Sequence, residues 1–170
     1  HSVEIGVLSF RPDDAQVKSM VVYRDELAFV VNPQHPLAKA GTVSIRQLGA
    51  QNFIAHNITS PQRQKVIQEF KRHKTVLHMG VELPSLEAIK RFVEMGNGVA
   101  LVPGLTVQPE LESGALVRVQ IPELQIERKL RLVYRKHASL SHAALAFLKV
   151  VEAYAAAHGD PYCFQPERGA

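Results

Sequence analysis

The chain has no tryptophan, one cysteine and few aromatic residues, 6% of the total. A single cysteine, Cys163, excludes an internal disulfide and fits a reducing compartment, so the expected location is the cytoplasm. A redox-sensing thiol would need a resolving cysteine or an electropositive pocket, and Tyr162-Cys163-Phe164 shows neither, which leaves an inert thiol. No apolar run approaches the roughly 18 residues that span a bilayer. The opening His1-Ser2-Val3-Glu4 lacks the basic and apolar regions of a secretory signal. Positive charge is in modest excess, +4, and clusters only at Lys71-Arg72-His73-Lys74 and Arg128-Lys129. No stripe of Lys and Arg alternates with aromatics, as a nucleic-acid groove requires, so the excess reads as solvated surface.

Catalytic signatures are missing as well. There is no Gly-x-Ser-x-Gly elbow, no Walker loop and no Gly-x-Gly-x-x-Gly fingerprint. Gly96-Asn97-Gly98 follows a helix instead of opening one, so it reads as a cap and not a phosphate cradle. The pairs His73/His78 and His137/His142 lack a cysteine or second histidine at metal-ligand spacing. Neither a metal, a cofactor nor a catalytic residue is expected.

What remains is an ordinary globular composition, with 46% hydrophobic and 21% charged residues in 170. Val3 to Leu8, a second extended segment made of Val21 to Tyr23 and Leu27 to Val31, Phe53 to Ala55, His78 to Leu83, Val99 to Val102, Leu116 to Ile121 and Lys129 to Tyr134 read as strands. Between them, Ser60-Pro61 opens one helix, with Val66, Ile67 and Phe70 on one face. Pro84-Ser85 opens another, with Leu86, Ile89, Phe92 and Val93 on one stripe and Glu87, Lys90, Arg91 and Glu94 opposite. Short helical pieces are expected at Val43 to Leu48 and Val107 to Glu112, and a long amphipathic helix over Ser141 to Ala157. Strands alternating with helices predict an α/β protein with a largely parallel sheet. Residues 51–121 form one expected lobe, residues 1–50 with 122–157 the rest of another, and residues 158–170 a loose tail. Ligands of such folds sit beyond the carboxyl ends of strands.

The loop His56-Asn57-Ile58-Thr59-Ser60 is the best local chemical signal. It leads into a helix amino terminus, whose free N–H groups and dipole suit an anion. Arg63 and Lys65 fall in the first turns of that helix, where acids are normally preferred, and a bound anion would offset the misplacement. Capping and two solvated bases account for the same residues without a ligand. Pro84-Ser85 repeats the arrangement.

The run Leu86 to Pro103, with Phe92-Val93-Glu94-Met95-Gly96-Asn97-Gly98-Val99-Ala100-Leu101-Val102-Pro103 at its centre, resembles the helix–Gly-x-Gly–strand–Pro segment of LysR-type transcriptional regulators. Val3 to Val7, Glu26 to Val31 with His35-Pro36-Leu37-Ala38, Leu48 to Ile54, Ser60 to Phe70, Gly114-Ala115-Leu116 and Leu130 to Lys136 resemble further pieces of the same domain in the same order, over roughly Val3 to Ala155. The resemblance implies a type II periplasmic-binding-protein-like fold of two Rossmann-like lobes joined by two crossing segments, with the opening of the first lobe missing. It implies a small-molecule effector, anionic by the helix-terminus argument, bound in the interlobe cleft and lined by Ser9, Phe10, His56, Asn57, Thr59, Pro84, Ser85, Val102 and Pro103. Pro84 stands where many family members carry a polar ligand contact, and a proline offers no donor there. Arg63, Val66, Ile67 and Phe70 mark the expected oligomer surface of a homodimer or homotetramer. DNA would be met only through a winged helix-turn-helix outside this chain. Two alternatives stand beside that reading. One is a stand-alone small-molecule binding protein of the same fold. The other is an enzyme on that fold, which would need a carboxylate partner for His56 that the loops do not supply.

Overall fold

The computed structural model describes residues 3–167. It divides into two compact units, His1–Asp25 with Glu127–Ala170 and Glu26–Ile126. Two apolar cores lie within the unit Glu26–Ile126.

The unit Glu26–Ile126 is organised by the second half of β2 (Val17–Val31). Ala28 to Val31 are all buried, as expected for a strand covered on both faces. Side chains alternate along a strand, so Phe29 and Val31 enter one core while Ala28 and Val30 enter the other. β3 (Asn52–His56) and β4 (His78–Leu83) pair in parallel, with His56 opposite Leu83. β5 (Ala100–Pro103) follows a parallel bridge from Val99 to Phe53 and runs antiparallel to β2. The short β6 (Val117–Arg118) pairs with β2 as well. α1 (Pro61–Arg72) contributes Val66 and Phe70 to the first core. α2 (Leu86–Glu94) and α3 (Gly104–Ser113) contribute Ile89, Val93 and Val107 to the second. Phe53 joins the first core, tilted against the Phe29 ring and edge-on to that of Phe70, and its neighbour Ile54 the second.

In the other unit, β1 (Gly6–Leu8) pairs antiparallel with β7 (Glu127–Arg135). The first half of β2 pairs antiparallel with β8 (Tyr162–Pro166). α4 (His142–His158) starts at Ser141, whose hydroxyl accepts from the Ala144 amide at 3.2 Å. The Glu4 carboxylate in turn accepts from the Ser141 amide and hydroxyl, at 2.6 and 2.7 Å. Those bonds hold the Glu4 carboxyl below its ordinary pKa.

Three expectations change. The sheet is not largely parallel: β2 is a 15-residue strand with antiparallel partners along its length, and the parallel pairing is that of β3 with β4 and two isolated bridges, Phe53 with Val99 and Thr42 with Gln120. Residues 26–50 and 122–126 belong with the second unit and not the first lobe. Val43, Ile45, Leu48 and Leu124 fill the core beneath α1, and the pairing of β2 with β5 and β6 carries the strand with them. The expected loose tail contains a strand: beyond the turn at Gly159, β8 pairs with β2, and its end is pinned by Glu167. Residues 168–170 of that tail, like residues 1 and 2, lie outside the described residues.

Glu167 accepts two bonds from the buried Arg131 guanidinium, at 2.7 and 2.9 Å, and one from the Ser19 hydroxyl at 3.1 Å. The Arg131 bonds are the chief reason its carboxyl is held below the usual range. A folded-state pKa lowered in this way stabilises the fold above the unfolded carboxylate pKa of about 4.3 and stops doing so as pH falls through the folded value. Glu167→Gln should therefore cost about 2 kcal/mol at neutral pH, the scale of a charge-assisted pair. Thermal melts of both proteins across pH check this: the gap should be full at pH 7 and narrow below about pH 4.3. A gap that does not change with pH would assign Glu167 no ionic role.

Candidate functional site

Three parallel runs, β3, β4 and the Val99–Pro103 segment, end on one edge of the unit Glu26–Ile126. Each is followed by a helix: β3 by α1, β4 by α2, β5 by α3. The amide of Asn57 donates to the Leu83 carbonyl at 3.0 Å, which ties the loops after β3 and β4 together at this edge. His56, Asn57, Thr59, Pro84, Ser85 and Pro103 lie at this edge. Asn57, Thr59, Pro84 and Ser85 are exposed, and His56 and Pro103 are half-buried. Ser9 and Phe10 follow β1 in the other unit.

The local geometry is fixed by capping. The Ser60 hydroxyl accepts from the Arg63 amide at 3.1 Å, and the Ser85 hydroxyl from the Ala88 amide at 3.2 Å. Pro61 occupies the first turn of α1, where a missing N–H costs nothing. His56 Nδ1 accepts from the Ile58 amide at 3.1 Å, which closes the loop and fixes the ring. The Thr106 hydroxyl donates to the Pro103 carbonyl at 2.7 Å and starts α3.

Arg63 behaves differently from expectation. Its guanidinium donates to the His56 carbonyl at 2.8 Å and pairs with the Glu82 carboxylate of β4. The offset for a base in the first turn of α1 is Glu82, so no bound anion is required to explain it. Glu82 was not singled out in the sequence, because a partner 19 positions away leaves no periodic trace.

Val102 is wholly buried, at 0% exposure, within the second core. It supports the site from beneath and cannot line it, since a residue on a central strand points into one core or the other. The expected oligomer surface also changes. Val66 and Phe70 are interior, Phe70 at 1% exposure, because the apolar stripe of α1 is what holds that helix to its own sheet. Arg63 is engaged within the unit, and only the half-buried Ile67 keeps any outward area.

The largest departure is Lys90, expected on the solvated side of α2 but 5% exposed. Its ammonium reaches Glu110 and Glu87, each at 2.8 Å, and the Thr106 carbonyl at 3.0 Å. The signal was present: Lys90 lies four residues after Leu86 and three before Val93, on the helix stripe that packs inward. The bond to Glu110 ties α2 to α3 and so sets Ser85 and Pro103 relative to each other.

Among the described residues, no group of His, Cys, Asp and Glu could hold a metal ion. None of their helices is long and apolar enough to cross a membrane.

With this geometry, the chain matches the family model of the LysR substrate binding domain over residues 1–156. The chain belongs to this family. The RuBisCO operon transcriptional regulator of Allochromatium vinosum is 29% identical over 92% of this chain and 52% of its own length. The HTH-type transcriptional regulator YeiE of Escherichia coli is 30% identical over 86% of this chain and 50% of its own length. The chain thus spans about half the length of the curated relatives it matches. Among solved structures, the CcmR regulatory domain of Synechocystis in complex with 2-PG superposes with a TM-score of 0.80 at 25% identity, over 89% of this chain and 73% of that one. The effector binding domain of QuiR in complex with shikimate, at 21% identity, shares the fold with a TM-score of 0.76, over 91% of this chain and 73% of that one. This LysR substrate-binding domain therefore has the type II periplasmic-binding-protein-like α/β fold, and its named relatives are transcriptional regulators, not enzymes.

Proposed function

We propose that this LysR substrate-binding domain is the ligand-sensing part of a bacterial, cytoplasmic transcriptional regulator. A small anionic effector binds at the carboxyl edge of β3, β4 and β5, with Thr59, Asn57, His56 and Ser85 as its polar contacts. In the full-length protein, a homodimer or homotetramer, occupancy biases a winged helix-turn-helix outside this chain between two states of different DNA affinity. The observation that carries the reading is the convergence of the α1 and α2 amino termini, each capped by a serine, at one edge. Helix dipoles place partial positive charge there, and the capping loops expose hydroxyl and amide groups toward a ligand. The 2-PG and shikimate complexes of related domains support a small-molecule effector.

The test is thermal melting of the chain against small carboxylates and phosphate esters. At a hundredfold excess over its dissociation constant, a ligand of the folded state adds about 2.7 kcal/mol, or roughly 5–10 °C for a chain of this size. Thr59→Ala should erase most of that shift while leaving the ligand-free melt unchanged, since Thr59 is exposed. Ser85→Ala should also erase it and lower the ligand-free melt by the loss of a cap, about 1 kcal/mol. A full shift retained in both variants would place the ligand elsewhere. Consumption of the ligand would reassign the domain as an enzyme.

A further inference from the structure

A cavity of about 420 Å³ opens at the opposite end of the same parallel strands, lined by Arg46, Gly49, His73, Lys74, Thr75, Val76 and His78. At about 3.3 Å per residue, the five residues of β3 separate it from the candidate effector edge by roughly 15 Å. Its polar lining comes from three places in the chain. Arg46 belongs to the helical turn Ile45–Ala50 that precedes β3. His73, Lys74 and Thr75 form the turn after α1, and His78 opens β4.

The turn is held in a fixed shape. The Lys74 amide donates to the Lys71 carbonyl at 3.0 Å and the Thr75 amide to the Phe70 carbonyl at 2.9 Å. Lys74 sits at φ +52°, a conformation that glycine or asparagine adopts at lower cost. The Thr75 methyl packs against Gly49, where an added Cβ would stand 3.0 Å from it, so the turn and the loop approach closely.

Charge at this cavity is of one sign. Arg46 and Lys74 bring two permanent cations, His73 and His78 bring ring nitrogens, and no lining residue is acidic. The carboxylate nearest the His73 ring, Glu69, is paired with Arg72 at 3.0 Å and lies 3.8 Å from His73 Nε2. That nitrogen is buried without a hydrogen-bond partner. The carboxyl end of α1 contributes about half a negative charge, which the two cations exceed.

We propose that this cavity is a second ligand site, taking a phosphate group between Arg46, Lys74 and His78; the Thr75 hydroxyl donates to the His73 carbonyl at 3.3 Å and shapes the turn. A planar guanidinium and a flexible ammonium arriving from different elements are the usual equipment for a tetrahedral oxyanion. The site is independent of the effector edge, so either can exist without the other.

The probe is inorganic phosphate, titrated into the isotope-labelled chain at constant ionic strength and followed by backbone amide NMR, with glycerol phosphate as a parallel arm. The amides of Lys74, Thr75 and His78 should shift saturably, with an affinity of their own that does not depend on any response at Thr59 and Ser85. Arg46→Gln with Lys74→Gln should weaken the affinity by about tenfold or more, equivalent to about 1.4 kcal/mol. The dispersed amide spectrum of the variant reports that it remains folded. Saturation by glycerol phosphate as well assigns an esterified phosphate, and saturation by inorganic phosphate alone assigns the free ion. Shifts that rise linearly without saturating, shifts confined to Thr59 and Ser85, or an affinity within twofold of wild type in the double variant would each overturn the proposal.

Discussion

Lys90→Met is expected to lower stability by about 3 kcal/mol at neutral pH, the low end for breaking a buried ion pair. The three ammonium hydrogens of Lys90 meet Glu110, Glu87 and the Thr106 carbonyl. Burial alone would push this amine down, yet its bonds to Glu110 and Glu87 outweigh burial and raise it. Glu110 mirrors this: burial would raise its carboxyl, and the Lys90 bond lowers it instead. Methionine keeps most of the volume and leaves the Glu110 carboxylate, 17% exposed, without its cation. The signs then follow. Glu110, with its depressed folded pKa, stabilises above the unfolded value of about 4.3 and ceases to as pH falls through the folded value. Lys90, with its raised folded pKa, stabilises below the unfolded value of about 10.4 and ceases to as pH rises through its own. At about 2–4 °C per kcal/mol for a chain of this size, the melt of Lys90→Met should fall by about 6–12 °C at pH 7. Adding Glu110→Leu should restore most of the loss, because an apolar pair of similar volume replaces a buried ionic one at little cost. A single variant that melts like wild type would show the pair to be solvated.

The same residue marks where sequence reading stops. Capping boundaries were legible from single residues, Ser60, Ser85, Ser141 and the Gly96 turn, because each is a local bargain between one side chain and the nearest amides or carbonyls. The Gly-Asn turn was legible in the same way: the Gly96 amide bonds the Val93 carbonyl and the Asn97 amide that of Phe92, a Schellman closure. Helix faces were legible where the stripe was apolar throughout; at Lys90 the spacing placed the residue inward, but its charge led to the opposite reading. Nothing local foretold β8, since its pairing with β2 and the grip of Arg131 on Glu167 join residues far apart in sequence. The candidate site divides likewise. Its loops were found from turn chemistry, whereas Val102 was misplaced, because family position alone does not say which way a strand residue points. Arg63 was read as waiting for an anion, because its carboxylate arrives from another strand.

Gly98→Ala should be as damaging as any single methyl added to this domain, about 3 kcal/mol or more from backbone strain and overpacking together. Gly98 sits at φ +154°, and a Cβ there would stand 2.5 Å from the Asn52 carbonyl oxygen and 3.2 Å from Ile54. That carbonyl accepts the Val99 amide at 3.0 Å, and Val99 in turn accepts from the Ile54 amide at 2.8 Å. These two bonds join β5 to β3, so relief of the clash by backbone movement breaks the join that brings Pro103 beside His56. Gly96→Ala, two residues earlier, is the internal control. Its Cβ meets nothing within 4 Å, and the left-handed φ of +78° alone should cost about 1 kcal/mol. Thermal melting of the two variants should therefore separate them by about 4–8 °C. Effector-induced stabilisation should survive in Gly96→Ala and be reduced in Gly98→Ala even well below its melting temperature. If the two glycines prove equivalent in stability and in ligand response, the β3–β5 join is not what positions the carboxyl edge, and the loop bond from Asn57 to Leu83 must carry that role alone.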